Sequence, residues 1–563
     1  MKNPVQEVHL KLKEIVNEAW RKAVAAGELP KTEACEPEIE MPKDKNHGDF
    51  ATNMALKMSK QWKKNPREAA GILTNRMELS GGIVDKVEIA GPGFINFYLS
   101  KKWLYDTVAY ILKADTEYGK VDLFSGKKVN VEFISANPTG PMHIGNARGG
   151  AIGDCLSSVL RWAGYEVTEE FYVNDAGNQI EKFGVSLNAR FLQKIYGEDA
   201  VEFPEDAYHG DDIKQHVEDY IAQFGAEELK AMDEETRKKT LSDYALKRNI
   251  RKLQEDTGRY GIHYDVWFYE STLHKADAVN QVVRELTEKG YTYEKEGAVW
   301  FKSTEFGAEK DDVLIRANGF PTYFAADIAY HKNKADRGFD QMINIWGADH
   351  HGHVSRMKGV FQALGLDPDR LTIILMQLVR LYKDGEIYRV SKRSGKSVTL
   401  SDLLDDVNVD AARFFFNLRQ ANSHFDFDLD LAVSESNENP VFYVQYAHAR
   451  ICSILRHLKE EGVSLDGISG SLENLKEREE SDLMEKLAYF PEEITQAALT
   501  LDPSKMTKYV MEVASAFHTF YNACRVMCED KALFESRIQL VQATRIVIRN
   551  CLNLLGITAP ERM

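Results

Sequence analysis

Apolar and polar positions alternate along "GKKVNVEFIS" (126–135), and the alternation predicts a strand. It runs straight into a stretch crowded with glycine and proline. Behind that, "ARGGAIGDCLSSVLRWAG" (147–164) has the spacing of a helix closed by Gly164, and "YEVTEEFYV" reads as a second strand. Strand, glycine-rich turn, helix and strand make the first unit of a doubly wound sheet. Upstream, "VHLKLKEIVNEAWRKAV" and "ATNMALKMSKQW" carry helical patterns, and "DKVEIAGPGFINFYLS" reads as two strands about a Gly-Pro-Gly turn. From about Phe191 to Trp300 the pattern is charged and mostly helical, and strands resume beyond it. The apolar runs "QMINIWGADHHGH" and "RLTIILMQLVRLY" fit buried parallel strands. After about Asn437 the pattern stays helical, with Asn439 as N-cap and Pro440 at the first helical position.

These patterns divide the chain into an N-terminal α+β domain (1–119), a Rossmann-type doubly wound α/β domain (120–405) with a helical insertion at about 191–300, a connecting stem (406–436) and an all-α bundle (437–563). A length of 563 residues fits several domains, and 44% hydrophobic with 28% charged residues fits a soluble multidomain α/β protein. The formal charge of −16, taken alone, argues against a nucleic-acid partner, although an acidic protein can still carry a local basic surface. The six cysteines are scattered; Cys524 and Cys528 lie one helical turn apart, with no second pair to complete a zinc set. They read as reduced thiols of a cytoplasmic protein. The charged N-terminus lacks the apolar core of a signal peptide, and no stretch is long and apolar enough to span a membrane.

The chemistry concentrates in "SANPTGPMHIGNARGG", Ser135 to Gly150. A glycine-rich turn between strand and helix puts free N–H groups and the positive end of the helix dipole at the carboxyl edge of the sheet, where anions bind. Gly140 and Gly145 let the backbone approach a ligand. Gly149, Gly150 and Gly153 let the helix pack closely on the sheet, and His143 and Asn146 add side-chain donors. The bland alternative is a tight turn holding a satisfied histidine.

The whole of "SANPTGPMHIGNARGGAIGD" resembles the HIGH signature region of class I aminoacyl-tRNA synthetases, in the form seen in arginyl-tRNA synthetases. "HGDFATNMA", "AGPGFINFYL", "YVNDAGNQI", "YHGDDI", "YFAADIAYH", "GADHHGH", "DAARFFF" and "NPVFYVQYAHAR" resemble the same family in the same order. The resemblance implies formation of arginyl-adenylate from L-arginine and ATP, with Mg2+ carried by the nucleotide, and transfer of arginine to tRNA(Arg). His143, Asn146 and Lys392 would be catalytic. Gly140, Pro141, His143, Gly145, Asn146, His350, Ser391, Lys392 and Arg393 would hold ATP. Asn146 replaces the second histidine usual in the motif; an amide keeps a neutral donor but carries no charge.

For the family's KMSKS loop, "KMSKQ" (57–61) matches by letters but precedes the HIGH-like turn and sits in an amphipathic helix. "YRVSKRSGKSVTL" (388–400) follows the last apolar strand and precedes a helix opened by Ser401, so it is the better candidate. The arginine pocket would be lined by Glu132, Ser135, Asn137, Asn146, Tyr323, Asp327 and His350. A guanidinium needs planar anionic acceptors, and Glu132 and Asp327 would supply them. The alternative for Glu132 is a salt bridge to a structural arginine. Phe442, Tyr443 and Tyr446 read mainly as bundle core, and the helical domain as the reader of the anticodon. The chain is expected to act as a monomer. Another class I synthetase, a small-molecule adenylyltransferase and a catalytically inactive RNA-binding paralogue are the competing readings.

Overall fold

The computed structural model describes residues 3–33, 35–42, 44–389, 398–465, 468 and 470–563. At its centre lies a five-stranded parallel sheet. Across it run Val266–Tyr269, Glu166–Val173, Lys128–Glu132, Gln341–Gly347 and Leu371–Met376. In chain order that is 3-2-1-4-5, the doubly wound order, whose direction reverses between Lys128–Glu132 and Gln341–Gly347. The crevice outside the carboxyl ends of these two strands is where such sheets bind ligands.

Helix Ile144–Trp162 packs on this sheet with Cys155, Leu156, Val159 and Leu160 buried. The contact depends on Gly153: a Cβ there would stand 2.2 Å from the ring of Phe133, so any side chain would force helix and sheet apart. Gly150 is nearly as tight, its absent Cβ lying 2.8 Å from Ile262 and 3.0 Å from Ile134.

Three features differ from the pattern-based reading. Strand Val266–Tyr269 joins the main sheet inside the segment expected to be helical to Trp300. Four aromatic and β-branched residues are too short a run to show a period. Helices Asn178–Tyr196, Asp211–Phe224 and Glu234–Arg259 precede it around their own apolar core, and Thr292–Lys295, Ala298–Phe301 and Asp312–Ile315 form a small antiparallel sheet after it. The apolar run at 370–382 is two strands: Leu371–Met376 ends the main sheet, and Val379–Lys383 pairs with Glu386–Tyr388 and Phe425–Asp428 in another. The helix expected to open at Ser401 is capped earlier, by Thr399.

The N-terminal strands pair antiparallel under helices Pro4–Ala25, Met54–Trp62 and Pro66–Arg76. "KMSKQ" lies in the second of these, with Met58 and Trp62 buried. From Pro440 on, long helices form a bundle, and Asn439 caps the first by accepting from the Val441 N–H. Arg413, fully buried, ties bundle to sheet: it pairs with Asp154 on the sheet helix and donates to the carbonyls of Tyr260 and Leu555. All six cysteines are unpaired thiols, and no helix among the described residues is long and apolar enough to cross a membrane.

Candidate active site at the carboxyl edge of the sheet

The first strand does not end quietly. Ile134 and Ser135 both take positive φ, 65° and 44°. For a β-branched isoleucine this left-handed conformation is a real outlier, costing about 1–3 kcal/mol that surrounding contacts must offset. The kink is held by Ser135, whose hydroxyl donates to Glu132 Oε1 (2.9 Å) and accepts from the Tyr172 N–H (3.1 Å). It turns the chain across the switch point into the glycine-rich turn.

His143 stands at the N-terminus of helix Ile144–Trp162 and is exposed. Its backbone N–H donates to Asn146 Oδ1 at 2.9 Å, so the amide oxygen of Asn146 caps the helix and its NH2 is the half of the amide that can donate elsewhere. A Cβ on Gly145 would meet nothing, which leaves the backbone open to approach. His143 bridges to Thr399, while Ile144 N–H donates to the Val398 carbonyl and Leu400 N–H to that of Met142. Ser391, Lys392 and Arg393 lie outside the described residues. His143, Tyr388, Arg389 and Val398 line a cleft of about 400 Å³. Arg148, one turn into the helix, is buried and donates to the carbonyls of Gln377 and Gln420 (both 2.9 Å); burial pulls its pKa down to about 10.

On the other side of the switch point, helix Tyr323–Asp336 carries Tyr323, Asp327, His331 and Lys334. Glu132 is buried and paired with Lys334, Nζ to Oε2 at 2.6 Å. The pairing foreseen for Glu132 therefore exists, with a lysine as the cation. Lys334 also donates to Asn344 Oδ1 (3.0 Å), which turns the Asn344 amide nitrogen toward His331 Nε2 (2.8 Å). His331 must then carry its proton on Nδ1, which faces the Asp327 carbonyl at 2.9 Å.

Asp327 behaves differently. His353 Nε2 lies 2.6 Å from its carboxylate. Arg356 Nη2 lies 2.8 Å from His353 Nδ1, and a guanidinium can only donate, so Nδ1 accepts and Nε2 bears the proton. The imidazole is neutral in this arrangement, and the Arg356 charge is met by Asp312 at 2.6 Å. Asp327 thus has a hydrogen bond but no lysine or arginine partner among the described residues, and a third of its side chain is exposed. Burial raises its pKa, but the His353 hydrogen bond, with the Lys334 ammonium on the same helix, outweighs it and leaves the carboxyl below its usual range.

Tyr323 is 41% exposed, and its hydroxyl accepts from the Gln179 N–H. Asn137 is exposed on the turn, as is His350 just past the end of strand Gln341–Gly347. The turn that carries Asp349, His350, His351 and His353 invites a metal reading from sequence, but the family resemblance sets it against the ATP and arginine pocket, without a separate role for His353. Sequence reading missed the buried carboxylate Glu270, which accepts from the Tyr172 hydroxyl (2.9 Å) and faces His274 (3.2 Å). Burial pushes the Glu270 carboxyl upward. In the bundle, Phe442, Tyr443 and Tyr446 are not wholly core: they are partly exposed, Phe442 and Tyr446 lie parallel at 6.3 Å, and Arg450 stands over the Tyr446 ring at 5.6 Å.

A doubly wound sheet with a histidine-bearing, glycine-rich turn at its switch point and a helical bundle behind it defines a class I aminoacyl-tRNA synthetase. Residues 107–428 match the family described as tRNA synthetases class I (R), catalytic domain. Residues 10–99 match the arginyl tRNA synthetase N terminal domain, and 444–563 the DALR anticodon binding domain. The chain is 55% identical over 565 residues to the arginine–tRNA ligase of Acetivibrio thermocellus and 56% identical over 565 residues to that of Caldanaerobacter subterraneus, covering 100% of each. The Thermus thermophilus arginyl-tRNA synthetase structure shares its fold, with a TM-score of 0.74 at 21% identity over 99% of this chain and all of that one. The chain belongs to the arginyl-tRNA synthetase family.

Proposed function

We propose that the chain activates L-arginine with ATP and transfers it to tRNA(Arg). The arginine carboxylate attacks the α-phosphorus of ATP, pyrophosphate leaves, and arginyl-adenylate forms. A terminal ribose hydroxyl of the tRNA then attacks the carbonyl carbon, and AMP leaves. The observation that carries the choice of amino acid is Asp327: a carboxylate without a lysine or arginine partner among the described residues, one helical turn from the exposed ring of Tyr323. That is the acceptor a guanidinium requires.

The roles follow from position. ATP lies along Gly140, Pro141, Gly145 and the N-terminus of helix Ile144–Trp162. His143 and the amide NH2 of Asn146 donate to its phosphates, and magnesium accompanies the nucleotide as part of the substrate. By the family resemblance Ser391, Lys392 and Arg393 serve the leaving pyrophosphate, where positive charge is worth most as negative charge develops. Asp327 takes the guanidinium, with Glu132 beside it. Ser135, Asn137 and His350 hold the amino-acid end. The parallel rings of Phe442 and Tyr446, with Arg450 above, suit unpaired bases of the anticodon loop. We further propose a cytoplasmic monomer divided near residues 119, 405 and 436.

The test is pyrophosphate exchange into ATP with each amino acid in turn, with and without tRNA(Arg). Exchange with arginine alone, and only with tRNA present, is the expected outcome. Robust exchange with another amino acid would overturn the reading.

A further inference from the structure

The motif "YHGDDI" (208–213) opens helix Asp211–Phe224 of the insertion and sets it against the glycine-rich turn: a Cβ on Gly140 would meet Asp212 Oδ2 at 3.9 Å. One turn on, His216 is buried, and its Nε2 lies 2.8 Å from Asn249 Oδ1 on the neighbouring helix Glu234–Arg259. The amide nitrogen of Asn249 donates to the Pro138 carbonyl at 2.8 Å. A carbonyl can only accept, so the amide oxygen is the half left for His216, and Nε2 carries the proton. His216 Nδ1 is buried without a hydrogen-bond partner among the described residues, and burial holds the pKa of the imidazole below its usual value, so the ring is neutral. The relay from His216 through Asn249 to Pro138 therefore has direction but no charge. Its last bond is the only side-chain hydrogen bond to the backbone of 136–141 among the described residues.

Helix Glu234–Arg259 is itself fixed to the other half of the site. Two turns past Asn249, on the same face, buried Asp256 accepts from Ser401 Oγ (3.0 Å) and from Lys252 (2.6 Å). Arg259 donates to the Leu404 carbonyl (2.7 Å) and pairs with Asp405 (2.8 Å). These partners lie on helix Leu400–Asp406, whose first residue is bound back to the turn, Leu400 N–H to the Met142 carbonyl. We propose that Asn249 is a positioning residue for adenylate formation: it tethers the glycine-rich turn at Pro138, and His216 holds the Asn249 amide in the orientation that does so. The proposal rests on the reading that ATP lies along Gly140, Pro141 and Gly145. The turn leaves the sheet through the strained pair Ile134 and Ser135 and is bound again at Met142; between those points Asn249 is its side-chain tether. Without it, the nucleotide would have to order the turn as it binds, and that cost would be taken from its affinity.

The experiment uses the full chain, with MgATP as the probe. Binding is measured by isothermal titration calorimetry for the parent, Asn249→Ala, Asn249→Asp, His216→Leu and His216→Gln. The KM for ATP and for arginine in tRNA-dependent pyrophosphate exchange and the unfolding midpoint are measured alongside. Asn249→Ala should raise the Kd for MgATP about 2- to 12-fold, the worth of one neutral hydrogen bond, and leave the KM for arginine unchanged. Asn249→Asp fills the same space and still accepts from His216, but it sets a carboxylate against the Pro138 carbonyl and should lose at least as much as Asn249→Ala. His216→Leu, which frees the amide to turn, should show part of the loss, and His216→Gln, which restores a donor, should recover it. Parent-like binding by Asn249→Asp would mean that the side chain only fills space, and equal losses for ATP and arginine would mean that it only supports the fold; either overturns the proposal. A parent that binds no MgATP would overturn the adenylate reading as well, whereas a parent that binds it no better than Asn249→Ala overturns the proposal alone.

Discussion

Asp327→Asn removes one negative charge while keeping the shape of the side chain. His353 Nε2–H can still donate to the amide oxygen, so the chain His353–Arg356–Asp312 keeps its hydrogen bonds. What is lost is the anionic acceptor for a guanidinium. Cutting one side of a desolvated charge pair costs about 2–5 kcal/mol. Because a third of the Asp327 side chain is exposed, solvent screens part of the interaction, and the lower end applies, about 2–3 kcal/mol. At 1.4 kcal/mol per decade, kcat/KM for arginine should fall about 30- to 150-fold. The KM for ATP should hold within a factor of about two, since the nucleotide's proposed seat is the far side of the switch point. The assay is tRNA-dependent pyrophosphate exchange with arginine and ATP varied separately, and thermal unfolding as a control. A loss shared equally by the two substrates would refute the reasoning, because the residue would then be shaping the fold. So would an unchanged arginine KM, which would place the guanidinium elsewhere.

Glu132→Gln should behave otherwise: it leaves the fully buried Lys334 ammonium without its carboxylate and should destabilise the protein by about 3–5 kcal/mol, read as a fall in unfolding midpoint that Glu132→Gln with Lys334→Met partly reverses. Asn146→His should keep arginine-dependent exchange within about tenfold, whereas Asn146→Ala, losing the cap on the His143 N–H and the amide donor, should cost about 1–3 kcal/mol in single-turnover adenylate formation. Glu169 is buried with Oε2 unpartnered, and burial pushes its pKa up to about 7. The folded state therefore holds its proton more tightly than the unfolded chain, so stability should fall as pH rises from about 4.5 to 7, by at most about 3 kcal/mol, and Glu169→Gln should flatten that slope in urea titrations at pH 5 and 8.

The unit around the HIGH-like turn was legible because its signals are local. Alternation predicts Lys128–Glu132, the glycines mark close packing, and Gly153 against Phe133 bears that out. Strand Val266–Tyr269 was not legible: a four-residue run becomes a strand only by pairing with 170–173, nearly a hundred residues away. Lys334 was hidden for a different reason. A lysine near the end of a charged helix looks solvated, and only the tertiary fold buries it against Glu132, two hundred residues earlier in the chain. "DAARFFF" was recognisable as a family motif while its physics was not. Arg413 is buried there because Asp154 and three carbonyl contacts from Tyr260 and Leu555 surround it, and no window of sequence contains those partners.

The same contrast separates structure from chemistry within the site. Around the switch point, charges come in matched sets: Glu132 with Lys334, Glu170 with Arg337 and the Tyr330 hydroxyl, Asp312 with Arg356. Each set is internally neutral, so removing one member strands its partner in a low-dielectric interior, and the fold suffers. Asp327 breaks the pattern. Its nearest partners are imidazoles that the surrounding donors hold neutral: His353 through Arg356, and His331 through Asn344, which Lys334 has turned. Those hydrogen bonds fix the carboxylate's orientation without cancelling its charge, and a third of the side chain stays exposed. An anion positioned in this way has its electrostatics left open for a ligand, and a cation that binds there completes a set the chain itself leaves unfinished. By that criterion we propose Asp327 as the residue on which amino-acid selection turns, while Glu132, its charge met by Lys334, holds the wall of the proposed pocket in place.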